Sequence, residues 1–203
     1  MNAASDDGGY AEAATYLRTA LLLGLISPED AVAWADAVIS EDAAPPAIVY
    51  TLALTPPELS AVREALRPLA FPAESPRVIE AVLGLAARDL LGGRRNPDDT
   101  LRVLTQLRRF VKLDAGLDEE IKNLGALHML ALAGVSSDQL EEIRGRVRAL
   151  VGRYAAVRPV LATKRENSER PSWHGFPSFA SEAARDEPDD DEDGGGSQND
   201  DGN

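Results

Sequence analysis

The residues of this sequence that could carry acid–base chemistry are two histidines, His128 and His174, and two pairs of adjacent carboxylates, Asp98-Asp99 and Glu119-Glu120. An enzyme needs groups of tuned pKa brought together at one place. Adjacent residues on a helix point apart, and acidic residues in a first helical turn are already explained by the helix dipole. His128 lies in an apolar segment, which favours a core histidine hydrogen-bonded to a carbonyl or a carboxylate. These residues predict no active site.

Motifs that carry catalysis or ligand binding are absent from the sequence. It has no nucleophile elbow, no Gly-rich phosphate loop, no zinc-type His–Glu helix and no calcium loop. Its lack of cysteine excludes disulfides, zinc–thiolate sites and cysteine nucleophiles. We therefore expect a non-enzymatic protein with no catalytic residue, no cofactor and no metal. An enzyme that uses scattered carboxylates is a further alternative, which a metal-dependent thermal shift would support.

Arginines form a second group of candidate functional residues. Arg102 and Arg109 are spaced i, i+7, and Arg144 and Arg148 are spaced i, i+4, so each pair lies on one face of a helix. One interpretation is an anion-binding surface for nucleic acid, an acidic partner or the chain's own acidic end. The other is a solvated helix surface on which the arginines pair with nearby acids.

Aromatic residues near the C-terminus give the strongest functional signal. Trp173, Phe176 and Phe179 lie within residues 171–179, with polar sequence on both sides. Tryptophan is the residue most typical of binding hot spots. We expect these three residues to dock into an apolar groove, either on this protein or on a partner, while Asp189–Asp193 lie against arginines. The alternative is that they form the last packing layer of the domain.

The net charge of −13 is unevenly distributed. Residues 1–86 hold 4 basic and 12 acidic side chains, residues 87–163 hold 13 and 10, and residues 164–203 hold 4 and 12. An acidic chain disfavours simple nucleic-acid binding, because contact with phosphates needs positive surface. The acidic N-terminus predicts no secretory signal. The apolar runs Leu21–Ile26 and Leu124–Ala133 are far shorter than the ~20 residues of a membrane span, so we expect a cytoplasmic protein without membrane contact.

Apolar residues recur at helical spacing along the first 160 residues, and no alternation typical of strands persists. The pattern predicts an all-α fold, an irregular antiparallel bundle of about eight helices joined by short loops. Predicted helix starts lie near residues 10, 27, 45, 55, 75, 96, 118 and 136. Predicted N-caps are Ser27, Thr55, Asn96, Asp118 and Ser136, with a capping box between Thr55 and Glu58 and a hydrophobic staple between Leu54 and Leu59.

The predicted centre of this bundle is the segment Ile121–Gly134. Residues 124–133 carry no charge, and a helix that is apolar on all sides needs neighbours on all sides. We therefore expect the other helices to pack around this segment. Trp34 falls on an apolar stripe of its helix, so we expect it in the core.

The domain organisation follows from these patterns. We expect a flexible N-terminus over residues 1–9, a helical domain over residues 10–160, and a disordered tail over residues 161–203. This tail contains the aromatic strip, residues 171–179, and the acidic end, residues 186–203, which has no large apolar residue and cannot offset the entropy of ordering.

The stretch GLISPEDAVAWADAVI, Gly24–Ile39, resembles a pattern in small bacterial helical proteins: Gly-Leu, a helix cap, two acids and then Trp-Ala-Asp. Some of these proteins resemble immunity proteins of toxin systems. The resemblance covers 16 of the 203 residues and implies no catalytic residues.

Together these observations predict an adaptor or immunity-type inhibitor that binds another protein, with a basic partner favoured. Contacts are expected through Trp173, Phe176, Phe179, the acidic tail, and the charged helix faces of Arg102, Arg109, Arg144 and Arg148. The alternative is a nucleic-acid-associated regulator whose arginine face is covered by the acidic tail. The sequence does not fix the oligomeric state.

Overall fold

A computed structural model describes residues 7–68, 75–134 and 137–161, with side chains from Gly9 onward. These ranges hold eight α-helices and no strand, which confirms the all-α prediction. The helices are α1 (Asp7–Leu22), α2 (Pro28–Glu41), α3 (Ala47–Ala53), α4 (Leu59–Leu66), α5 (Pro76–Leu91), α6 (Pro97–Phe110), α7 (Ala115–Leu132) and α8 (Ser137–Gly152). The predicted N-cap Ser136, the aromatic strip and the acidic end lie outside the described residues.

Two helices begin at the predicted caps. The Ser27 hydroxyl accepts a hydrogen bond from the Asp30 N–H at 3.2 Å, and the Asp30 carboxylate accepts one from the Ser27 N–H at 2.8 Å. Asn96 caps α6 by accepting from the Asp99 N–H at 2.8 Å. A proline follows each cap at the first helical position, where its fixed φ suits the helix and its missing N–H has no intrahelical partner to lose.

The predicted capping box at Thr55 and Glu58 is wrong. Helix α4 begins at Leu59, and its N-cap Glu58 makes no side-chain capping bond. The Thr55 hydroxyl instead donates to the Thr51 carbonyl at 2.7 Å, so it completes the turn that follows α3. The predicted staple also fails, since Leu54 is 85% exposed and Leu59 is 47% exposed.

Two other predicted boundaries are wrong. Helix α7 is capped by Asp114, whose carboxylate accepts from the Leu117 N–H at 3.0 Å, and not by Asp118. Asp118 lies in the first turn, where it favours the positive end of the helix dipole. Helix α1 begins at Asp7, three residues before its predicted start near residue 10.

The central helix is α5, not the predicted segment Ile121–Gly134. Eleven of its sixteen residues are buried, and it packs against α1, α6 and α8. Small residues allow these neighbours to approach, among them Ala81, Gly84 and Ala87. Trp34 on α2 is buried in the core, as predicted.

The segment after α8 lies across α5. A Cβ added at Gly84 would come within 2.7 Å of the Val157 carbonyl oxygen and 2.9 Å of the Tyr154 carbonyl oxygen. Arg88 donates to the same Val157 carbonyl at 2.5 Å, and Val160 is buried against the core. Glycine at position 84 is therefore required by backbone contact, and residues 153–161 belong to the packed domain.

Candidate protein-binding surface

Helix α7 buries only one of its sides. Leu117, Ile121, Leu124 and Ala131 face the core, and α6 and α8 are the helices against which α7 packs. Most of the apolar residues in its last two turns point to solvent. Leu127 is 40% exposed, Met129 67%, Leu130 62% and Leu132 63%, and we call these four residues the α7 apolar face.

This apolar face corrects the prediction of a helix buried on all sides. The four side chains spread over the outer side and both flanks of α7, because successive residues of a helix are about 100° apart. The sequence signal was correct in that residues 124–133 carry no charge. The expected burial was wrong because an apolar helix is buried only where other helices pack against it. No described helix covers the outer side of α7.

A groove of about 290 Å³ separates α7 from α8 beside the apolar face. Asn123, Leu124 and Leu127 line it from α7, and Arg146 and Ala149 line it from α8. We call this depression the α7–α8 groove. Glu120 on α7 also lines it, so the lining combines two charged side chains, Glu120 and Arg146, with apolar ones.

The three helices around this surface are fixed by ion pairs. Arg108 on α6 makes a bidentate pair with Asp118 on α7, with N–O distances of 2.7 and 3.0 Å. Arg153, just after α8, pairs with Glu120 on α7 at 2.6 Å. The hydrogen bond from Arg108 holds the pKa of Asp118 below its ordinary value. Ion pairs as exposed as these contribute little stability, so the buried Leu117, Ile121, Leu124 and Ala131 are what hold α7 against α6 and α8.

His128 belongs to a third ionic cluster. Its Nε2 lies 3.4 Å from the Asp98 carboxylate, and the Arg144 guanidinium pairs with the same carboxylate at 2.7 Å. The hydrogen bond from Arg144 is the largest cause that holds the pKa of Asp98 below its ordinary value. The predicted histidine–carboxylate contact is confirmed, although His128 is partly exposed and not a core residue. The cluster joins α6, α7 and α8, and its carboxylate is already occupied by a guanidinium.

The predicted arginine surface is largely neutralised by local acids. Arg102 pairs with Asp99 at 2.9 Å, and Arg144 pairs with Asp98 and Glu141, both at 2.7 Å. Further pairs in this half of the described chain are Arg94–Asp89, Arg108–Asp118, Arg146–Glu142 and Arg153–Glu120.

Two of the four predicted partner-binding arginines keep a free charge. Arg109 and Arg148 are exposed and make no hydrogen bond or ion pair with any described residue. The interpretation in which the arginines pair with nearby acids therefore holds for Arg102 and Arg144. Arg109 on α6 and Arg148 on α8 are single exposed cations on two different helices.

The remaining predicted site residues, Trp173, Phe176 and Phe179, lie outside the described residues. Within the described part of the chain, no group of three or more acidic or histidine side chains could hold a metal ion. Over the same residues, no helix combines the length and the apolar character needed to cross a bilayer. No protein-family model, no curated protein and no solved structure matches this chain.

Proposed function

We propose that this protein is a non-enzymatic helical domain that binds another protein, as an adaptor or an immunity-type inhibitor. The observation that carries the proposal is the α7 apolar face, where four large side chains are exposed on a helix held by ion pairs. Four large apolar side chains exposed within six residues of one helix are unfavourable in water, and exposed apolar surface of this kind marks interaction sites.

The size of the α7 apolar face sets the expected strength of binding. Burial of one exposed leucine side chain contributes roughly 1–2 kcal/mol, so a partner that covers two or three of these residues gains only a few kcal/mol from them. Association itself costs an estimated 4–15 kcal/mol, so these side chains alone support at most weak affinity. Polar contacts around it must supply the rest. Arg109 and Arg148, which are exposed, and the predicted strip Trp173, Phe176 and Phe179 remain proposed contacts in their own right.

The charge of the protein favours a basic partner. A net charge of −13 speeds encounter with a positive surface and slows encounter with another acidic one. Association should therefore weaken as salt is raised, and binding that does not change with salt would count against a basic partner. A cytoplasmic location belongs to the same proposal and is compatible with the absence of cysteine.

The nucleic-acid alternative gains no support from the described residues. Six arginines between residues 87 and 163 already pair with carboxylates, which lowers the positive charge that this part of the chain can offer to phosphates. The protein-binding proposal does not depend on these cations.

Site-specific photocrosslinking tests the proposal. A photoreactive amino acid replaces Leu130 in cells of the source organism, and the matched control carries it at Glu29, which is exposed on α2. We expect a defined protein adduct from position 130 and none from position 29. The purified partner should then bind wild-type protein and bind the Leu130→Glu variant at least about tenfold more weakly.

Two results would contradict the proposal. One is the absence of any adduct specific to position 130. The other is a partner whose affinity is unchanged by Leu130→Glu in a variant that melts at the wild-type temperature.

A further inference from the structure

A small cavity between α5 and α7 combines an apolar lining with charges of both signs. Ile79 and Leu83 on α5 are buried and spaced i, i+4, so they line the cavity from one side of that helix. Leu117, in the first turn of α7, is also buried and lines it from the other helix. The volume is about 140 Å³, equal to about four or five water molecules in the liquid. We call this space the α5–α7 cavity.

The connection between α6 and α7 directs two opposite charges into this cavity. Val111 and Leu113 are buried, whereas Lys112 and Asp114 are exposed. Val111 has an extended backbone, and alternate residues of an extended segment lie on the same side. Lys112 and Asp114 accordingly both line the α5–α7 cavity, and Glu80 lines it from α5.

These opposite charges do not neutralise one another. Lys112 and Glu80 make no hydrogen bond or ion pair with any described residue. Asp114 accepts from the Leu117 N–H at 3.0 Å through Oδ1 and makes no ion pair within the same part of the chain. An ammonium and two carboxylates therefore line one small cavity without contact, which leaves room between them for a ligand that carries both charges.

Tyr154, which follows α8, adds a hydrogen-bond donor to the lining. Its side chain is partly buried, and its hydroxyl makes no hydrogen bond with any described residue. Burial raises the pKa of Tyr154, an effect that Arg153 opposes and that Asp114 and Glu80 reinforce. The phenol is therefore protonated at neutral pH and can donate to a carboxylate.

Ligands with a single kind of charge fit this lining less well. A plain anion would meet two carboxylates, and a plain cation would meet the ammonium of Lys112. An uncharged apolar molecule would remove water from all three charges without replacing its hydrogen bonds, which is unfavourable. A zwitterion with a short apolar side chain satisfies both charges and the apolar part of the lining.

We propose that the α5–α7 cavity binds a free α-amino acid with an aliphatic side chain, such as leucine. The ammonium of the ligand contacts Glu80 and Asp114, its carboxylate contacts Lys112 and the Tyr154 hydroxyl, and its side chain packs on the apolar lining. The inference does not rest on the protein-binding function, because Leu117 lies about 15 Å along α7 from the start of the α7 apolar face.

Nuclear magnetic resonance of the full chain with labelled methyl groups tests this inference directly. Addition of L-leucine should shift the methyl signals of Ile79, Leu83 and Leu117 to saturation, with a Kd on the order of 1 mM. N-acetyl-leucine has no ammonium and leucinamide has no carboxylate. Each should bind at least about tenfold more weakly than leucine, because each lacks one charge-assisted contact.

Two variants assign the contacts to individual residues. Lys112→Met should weaken leucine binding about tenfold and leave leucinamide within about twofold, because leucinamide has no carboxylate for this lysine. Glu80→Gln should weaken leucine at least about threefold and leave N-acetyl-leucine within about twofold for the corresponding reason. Both residues are exposed, so Tm should stay close to that of the wild type.

The matched control is Lys122→Met, which removes an exposed cation of α7 outside the cavity lining. Leucine binding to this variant should stay within about twofold of the wild type. An equal loss from Lys112→Met and Lys122→Met would show that net charge determines binding, and the assigned site would be wrong.

Three further results would overturn the inference. Methyl signals that do not move at ~20 mM leucine would show that the cavity takes no amino acid. Leucinamide that binds as tightly as leucine would show that the ligand is a plain amine, and N-acetyl-leucine that does so would show that it is a plain carboxylate. None of these results bears on the α7 apolar face, so the protein-binding function would stand or fall by its own crosslinking test.

Discussion

Helix α7 should tolerate shortening of a side chain on its exposed side and should lose stability when a side chain on its buried side is shortened. Leu124 is 4% exposed and Leu130 is 62% exposed, and the two residues are less than two turns apart on the same helix. Leu124→Ala removes a buried side chain and should lower the free energy of unfolding by about 2–5 kcal/mol. Leu130→Ala removes a side chain that loses little water contact on folding, so the cost should stay below about 1 kcal/mol.

Urea unfolding followed by circular dichroism measures both values. The slope with urea should match the wild type in both variants, so that a change in midpoint reports stability alone. A loss of about 2 kcal/mol or more from Leu130→Ala would refute the reasoning, because it would mean that the outer side of α7 is covered in the free protein.

Gly84→Ala should lower the free energy of unfolding by about 1–3 kcal/mol, because its Cβ would lie 2.7 Å from the Val157 carbonyl, whereas Gly145→Ala should raise it by about 0.5–1 kcal/mol. Equal effects in thermal melts of the two variants would contradict the described approach of residues 154–157 to α5. Asp98 has a folded pKa below its ordinary 3.8, so its contribution to stability is present above that value and is lost as pH falls below it. Asp98→Asn should lower Tm at pH 7 and should reduce the loss of Tm between about pH 4 and pH 2. An unchanged loss of Tm over this range would disprove the pairing with Arg144.

Local signals in the sequence were sufficient for most helix starts and for the core position of Trp34. Ser27 and Asn96 act on backbone N–H groups three residues away, so their effect is contained in the sequence itself. The cap of α7 was mispredicted because Asp114 and Asp118 both have a side chain suited to capping. Asp118 is instead paired with Arg108, a contact that the local pattern does not reveal.

The candidate surface could not be predicted from the sequence pattern. An apolar segment predicts that its residues avoid water, but it does not reveal whether the same chain or another molecule covers them. Here α6 and α8 cover one side of α7 and leave Met129 and Leu130 exposed. The pairing of Arg144 with Asp98 joins residues 46 positions apart, so the local pattern does not reveal which acid neutralises Arg144.

Thiol labelling at α7 is the most direct test of the account, since the natural chain has no cysteine to compete. Single variants Met129→Cys, Ala131→Cys and Ala33→Cys place the thiol on the apolar face, on the buried side of α7, and on an exposed position of α2. In purified protein we predict fast maleimide labelling at positions 129 and 33 and slow labelling at 131. In an extract of the source cells, labelling at 129 should slow relative to 33 as a partner covers the face. A thiol at 129 that is already protected in the purified protein, or that reacts as fast in the extract as alone, would contradict the proposal that this face is bare until a partner binds.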